Sequence, residues 1–211
     1  MAIILRGILG GFSGKIANVV GTTWKGRAIM KALPLSVANP RTVGQVNQRN
    51  KFTGITQLAS QLTLGWIQDL WNRFSGNISG YNEFIKRNID FVSTAGVVNY
   101  ASIIYSFGEL KKVVDTPSGG GTTGTNDASI QWNGAVSGNQ ATDDIAYVTI
   151  IDETNDEVIA IDSSTIRQDA LVNVTTSEEF SPSNTYRFVL TFKKADGTIV
   201  SDHFTDELEL V

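Results

Sequence analysis

The chain has 211 residues, 41% hydrophobic and 18% charged, enough apolar material for one large domain or two small ones, which excludes wholesale disorder. It has no cysteine and one histidine, His203. Within one chain this excludes a disulfide framework, a thiolate metal site, a thiol nucleophile, a two-histidine metal site and a histidine relay. The net charge of −4 conceals a division: residues 1–112 carry 13 basic and 4 acidic side chains, residues 113–211 carry 4 and 17. Residues 1–68 hold Arg6, Lys15, Lys25, Arg27, Lys31, Arg41, Arg49 and Lys51 and no acid. Such a one-sign segment generates a positive field that attracts phosphate or an acidic protein surface. The expectation is a protein that works through surfaces, with no enzyme activity and no cofactor.

Met1 to Phe12 is apolar, but Arg6 splits it, no positive n-region precedes it and no A-x-A-like site follows. No run approaches the roughly 18 apolar residues of a spanning helix. The expected product is made in the cytoplasm, without export and without membrane contact. Gly7, Gly10, Gly11 and Gly14 make a bendable arm. Residues 15 to 33 then read as a hairpin, with strand formers through Trp24, a Lys25-Gly26 turn and a return from Arg27. Rapid amide exchange is expected in residues 1–33 of an isolated subunit.

Asn39-Pro-Arg-Thr42 starts a helix, with Pro40 in its first turn and Thr42-x-x-Gln45 at capping-box spacing. Val43, Val46, Phe52, Ile55, Leu58, Ala59 and Leu62 supply its apolar stripe. A second short helix carries Trp66, Ile67, Leu70, Trp71 and Phe74, and a third carries Tyr81, Phe84, Ile85 and Ile89. Asn99 to Tyr105 reads as a strand, and Thr116 to Asp127 as a glycine-rich linker. Beyond it the period is two, with strands expected at 128–133, 145–151, 157–162, 170–175, 185–193, 198–204 and 207–210. Lys112 to Asp115 could supply a first strand.

The expected fold class is α+β. A basic arm, hairpin and short helices fill residues 1–112, and an acidic antiparallel β-sandwich fills 113–211 and folds by itself.

Gly119-x-Gly121-x-x-Gly124 matches the dinucleotide fingerprint in letters, but no helix follows to hold a pyrophosphate. Gly14-Lys15 lacks the remaining residues of a phosphate loop. Paired acids such as Asp143-Asp144, Asp152-Glu153 and Glu178-Glu179 sit in expected turns and follow no calcium-loop pattern. His203 reads as a surface or strand-edge residue. The sequons at Asn77 and Asn173 are discounted without export.

Two resemblances follow from the residues. Ile130-Gln-Trp132, the Phe180 to Leu190 segment with Tyr186, and Asp196-Gly197 resemble a fibronectin-type-III or immunoglobulin-like module. That resemblance implies Trp132 between the sheets and the Tyr186 hydroxyl on a backbone carbonyl at a tyrosine corner. The Gly10-Gly-Phe-Ser-Gly-Lys15 opening, Val19-Val-Gly21, Trp24-Lys-Gly26 and Asn39-Pro-Arg-Thr42 resemble a family of unknown function found in Bacteroidota and their phages, although Ala17 stands where glycine is expected. This implies a phage or prophage setting and transfers no catalytic residue.

The first expectation is therefore a non-enzymatic virion protein: a head–tail connector, tail-ring or capsid-associated subunit. It would meet other virion proteins and further copies of itself in a ring or lattice. Its contacts would run through Arg6, Lys15, Trp24, Lys25, Arg27, Lys31, Arg41, Arg49 and Lys51. A nucleic-acid-binding accessory protein is the alternative, and a surface adhesin or carbohydrate-binding module a third.

Overall fold

Lys25 and Gly26 both take left-handed backbone conformations, φ +48° and +75°, so the two-residue turn is of the type whose twist matches paired strands. It joins β3 (Val19–Trp24) to β4 (Arg27–Ala32) with Trp24 opposite Arg27. The computed structural model describes residues 2–4, 12–36, 39–72, 78–113 and 115–211. The expected hairpin is part of an antiparallel sheet of order β1-β4-β3-β2, where β1 is Ala2–Ile4 and β2 is Gly14–Ile16. Ala17, at φ +48°, turns β2 into β3, which accounts for the glycine expected there. Gly7, Gly10, Gly11 and Arg6 lie outside the described residues.

The chain divides into two compact units, 1–42 and 43–211, and not after Lys112. The reason is that the helices and one sheet of the sandwich share a core. Helix α1 runs Val43–Gln61, starting three residues after Pro40, so that proline is not in its first turn. Leu64 and Gly65 leave the helical region, Gly65 at φ +77°. A wide turn, closed by the Ile67 amide on the Leu62 carbonyl at 2.9 Å, leads to α2 (Gln68–Leu70). Helix α3 (Gly80–Asn88) starts at Ser79, whose hydroxyl accepts the Asn82 amide, as N-cap chemistry requires.

The strand expected at Asn99–Tyr105 is absent. A single 3₁₀ turn, Tyr100–Ser102, precedes an extended segment that side chains pair instead of a neighbouring strand. Asn88 accepts the Ile104 amide at 2.7 Å and donates to its carbonyl at 3.0 Å. The Trp66 and Trp71 indoles both donate to the Tyr105 carbonyl, at 3.0 and 2.8 Å. These bonds satisfy buried backbone groups that a ladder would otherwise take.

The linker expected at 116–127 contains a strand, β5 (Ser118–Gly121). A Cβ at Gly119 would lie 2.7 Å from the Phe188 ring, and one at Gly121 about 3.1 Å from the Leu208 and Leu210 side chains. The glycines are there for close approach. No described residue between Lys112 and Asp115 is in a strand, and Val114 lies outside the described residues.

The remaining strands are β6 (Asp127–Gln131), β7 (Ile145–Asp152), β8 (Glu157–Ile166), β9 (Leu171–Thr175), β10 (Tyr186–Lys193), β11 (Phe204–Glu207) and β12 (Glu209–Leu210). They form sheets of order β12-β5-β6-β9 and β11-β10-β7-β8, antiparallel except for β12 with β5. The strand expected at 198–204 starts at Phe204, because the Ser201 hydroxyl accepts the Phe192 amide at 2.9 Å and interrupts the ladder. Inner-face residues such as Ile130, Val148, Val172 and Phe188 form one core.

Strands β7 and β10 are buried on both faces. Tyr147, Ile151 and Val189 on their outer face pack with Val200, Trp66, Trp71, Phe84 and Tyr105. The Ser106 hydroxyl adds a 2.6 Å bond to Thr191. Burial of the Tyr147 phenol beside Asp69 pushes its pKa up to about 12.

Trp132 follows β6, is buried, and donates to the Arg167 carbonyl at 2.9 Å. Tyr186 is buried as expected, but its hydroxyl accepts the Ser181 amide at 2.9 Å instead of donating to a carbonyl.

Candidate interaction surface

Strand alternation decides which basic residues act together. The register sets Lys15 opposite Val20, Val20 opposite Lys31, Thr22 opposite Ile29, and Trp24 opposite Arg27. Directly opposed residues share a face, so Lys15, Arg27, Lys31 and Trp24 stand on one side of the sheet. All four are exposed, Trp24 by 59%. Lys25 is in the turn, its ammonium 5.0 Å from the centre of the Trp24 ring. The other side carries Gly21, where a Cβ would lie 2.4 Å from the Phe12 carbonyl. Phe12 therefore lies against that side at Gly21, while the basic side carries its exposed cations around Ile29, which is buried between Arg27 and Lys31.

Among the described residues 12–36 and 39–42, Gly21 and Ile29 are the buried ones.

The other expected contact residues are distributed differently. Arg41 is exposed in the same unit. Arg49 and Lys51 are on α1 in the larger unit, where Arg49 lines a shallow apolar pocket with Gln45, Gln48, Phe52 and Thr53. The structure does not unite all nine residues in one site, and Arg6 is outside the described residues.

The acids of the sandwich are also sorted by the fold. Asp152 is opposite Tyr186, Asp127 opposite Thr175, and Arg187 opposite Glu207. Since 176–185 joins β9 to β10, the β7–β8 turn, the start of β6 and the end of β11 lie at the same end of the sandwich. Asp127, Asp156, Glu157, Glu178, Glu179 and Glu207 are exposed there. Arg187 pairs with Glu153 and, at 3.7 Å, with Glu207. Asp152 is buried and holds the Thr154 and Asn155 amides at 2.8 and 3.0 Å. Sequence spacing could not reveal this convergence, because three strand pairings bring the acids together.

Two groups have structural surroundings. Arg167 and Asp144 are fully buried and paired at 3.0 Å, with the guanidinium 3.8 Å from the Phe192 ring centre. Burial lowers the Arg167 pKa against the opposing effect of Asp144. No sequence signal separated these two from other charges. His203 is half-buried and not on the surface: its Nδ1 is 3.0 Å from the Ser106 carbonyl and its ring meets Tyr105 edge-on. Burial lowers its pKa. Among the described residues no three or more acids and histidines are placed to hold a metal, and no helix is long and apolar enough to cross a membrane.

A family described as a family of unknown function (DUF6266) matches residues 11–204. No curated protein matches the chain. Among solved structures, the adhesin domain of Epf from Streptococcus pyogenes is similar over 50% of this chain at 14% identity, with a TM-score of 0.32. The match covers 33% of that structure's chain, so this chain corresponds to about a third of it.

Proposed function

We propose that this chain, which belongs to the family of unknown function DUF6266, is a non-enzymatic building block of a phage or prophage particle. Its N-terminal unit attaches it to a neighbour. The observation that carries this reading is the exposure of Lys15, Arg27, Lys31 and Trp24 on one face of a sheet, in a stretch, residues 1–68, that has no acid. Tryptophan and arginine are enriched where interfaces concentrate their binding energy, and here exposed Trp24 stands directly opposite Arg27. Virion location, a source in Bacteroidota or their phages, and a ring or lattice of copies belong to the same proposal.

We also read the sandwich as fibronectin-type-III-like. The order β5-β6-β9 against β8-β7-β10-β11 supports this, as does the Tyr186 hydroxyl bound to the backbone five residues upstream where β10 begins. In this reading the module is a spacer or stacking element of the particle.

The solution mass of the purified chain at low and high salt, with and without duplex DNA, tests the reading. A discrete oligomer without DNA supports it, and a monomer under every condition refutes it. A second reading, nucleic-acid binding, is favoured by Trp24 itself, since an exposed indole beside Lys25 can stack on a base. A monomer that binds DNA with steep salt dependence would move that reading to first place.

A further inference from the structure

We propose that the basic face of the N-terminal sheet docks on the acidic end of the sandwich in a second copy of this chain, joining copies head to tail. The inference rests on the assembly reading above and names the mate. The basic face cannot find its counter-charge within residues 1–68, because that stretch has no acid. The acidic end cannot neutralise itself either. Its ion-paired cation among the described residues, Arg187, is already engaged by Glu153 and Glu207. Asp127, Asp156, Glu157, Glu178 and Glu179 remain exposed around it.

Strand geometry gives the two surfaces similar dimensions. On the basic face, Lys15 and Lys31 stand two strands apart, about 10 Å, and Arg27 is four residues along β4 from Lys31, about 13 Å. On the acidic end, Glu157 of β8 and Glu207 of β11 are three strand spacings apart, about 14 Å. Asp127 belongs to the opposing sheet, about 10 Å away, and Glu178 and Glu179 to the connection between the sheets. Three cations spaced by about 10 and 13 Å would thus meet acids spaced by about 10 and 14 Å. Trp24 would be the buried anchor between them.

Every copy supplies one basic face and one acidic end, so the contact is heterologous and propagates into a ring or filament. A nucleic acid would match the charge of the sheet but would leave the acidic end unused, so a second copy is favoured.

The test uses the full chain in two charge-reversed forms: Lys15→Glu/Arg27→Glu/Lys31→Glu, and Asp127→Lys/Glu157→Lys/Glu179→Lys. All six positions are exposed, and circular dichroism melts verify that each form stays folded. Sedimentation velocity follows mass across concentration at about 0.1 M and 1 M salt, between which the screening length falls from about 10 to 3 Å. The expected result is a wild-type oligomer that dissociates at high salt. Each reversed form should self-associate about a hundredfold more weakly, and a 1:1 mixture of the two should assemble again, since each then offers the other a complementary surface. Reversed forms that assemble like the wild type would overturn the docking inference and leave the assembly reading standing. A wild type that is monomeric at every concentration and salt would overturn both. A basic-face reversal that keeps assembly but abolishes binding to a duplex DNA probe would assign the face to phosphate and overturn the inference.

Discussion

Removing residues 1–112 should destroy the sandwich, although residues 113–211 keep all eight of its strands. The fragment loses the helices that cover the outer face of β7 and β10. Ile151 and Val189 are fully buried against those helices, and Val200 is 1% exposed. Each such side chain contributes about 1.5–3 kcal/mol when fully buried, so exposing the three costs about 5–9 kcal/mol. A whole domain is stable by about 5–15 kcal/mol. The fragment also loses the Ser106 hydroxyl on Thr191, and the Asp69 carboxylate, which lies 3.4 Å from the Tyr147 hydroxyl. Residues 43–211, by contrast, retain the entire shared core. Urea denaturation followed by tryptophan fluorescence should give 43–211 one cooperative transition. The 113–211 fragment should show no transition, or one lower by at least about 5 kcal/mol, with strong binding of an apolar dye. Ile151→Thr with Val189→Thr should improve the fragment's solubility while destabilising 43–211. A monomeric 113–211 that unfolds cooperatively within about 1 kcal/mol of 43–211 would refute the shared core.

Gly119→Ala in 43–211 should cost about 1–3 kcal/mol, since the new methyl meets the Phe188 ring at 2.7 Å in a filled core, whereas Gly120→Ala, whose Cβ meets nothing nearer than 3.8 Å, should cost less; equal urea midpoints for the two would contradict this. Tyr186→Phe should cost about 1–3 kcal/mol by leaving the Ser181 amide without its acceptor, read from the same denaturation curves. His203 has a folded pKa held below its ordinary value, by burial first and by Lys112 in smaller part, against the Ser106 carbonyl and Asp202. The unfolded chain therefore binds more protons near pH 6, so stability is full above about pH 6.5 and falls as the solution is acidified below it. His203→Asn should flatten that dependence between pH 7 and 5, and an unchanged slope would assign the acid sensitivity elsewhere.

Whatever depends on neighbours along the chain is legible before folding. Alternation and turn chemistry placed β6 to β10 within a few residues, Lys25-Gly26 required its turn, and the charge division needed no fold to be seen. Apolar spacing located α1 and α3, although Val43, Val46 and Phe52 of the expected α1 stripe are exposed. What failed was whatever depends on a distant partner. Asn99–Tyr105 has strand composition, but Asn88, Trp66 and Trp71 occupy its backbone groups. Gly119 to Gly121 read as a flexible linker, because nothing local indicates that Phe188 and Leu208 will lie where a Cβ would go. The division at residue 42 depends on what covers β7 and β10, since a strand buried on both faces and a strand buried on one differ in their cover, which no period of two records. Of the nine expected contact residues, eight stand out in the sequence by charge and Trp24 as an aromatic beside the turn. Only strand register could put Lys15, Arg27, Lys31 and Trp24 on one face and gather the opposing acids at one end, since side-chain direction follows pairing and pairing is a property of the folded chain.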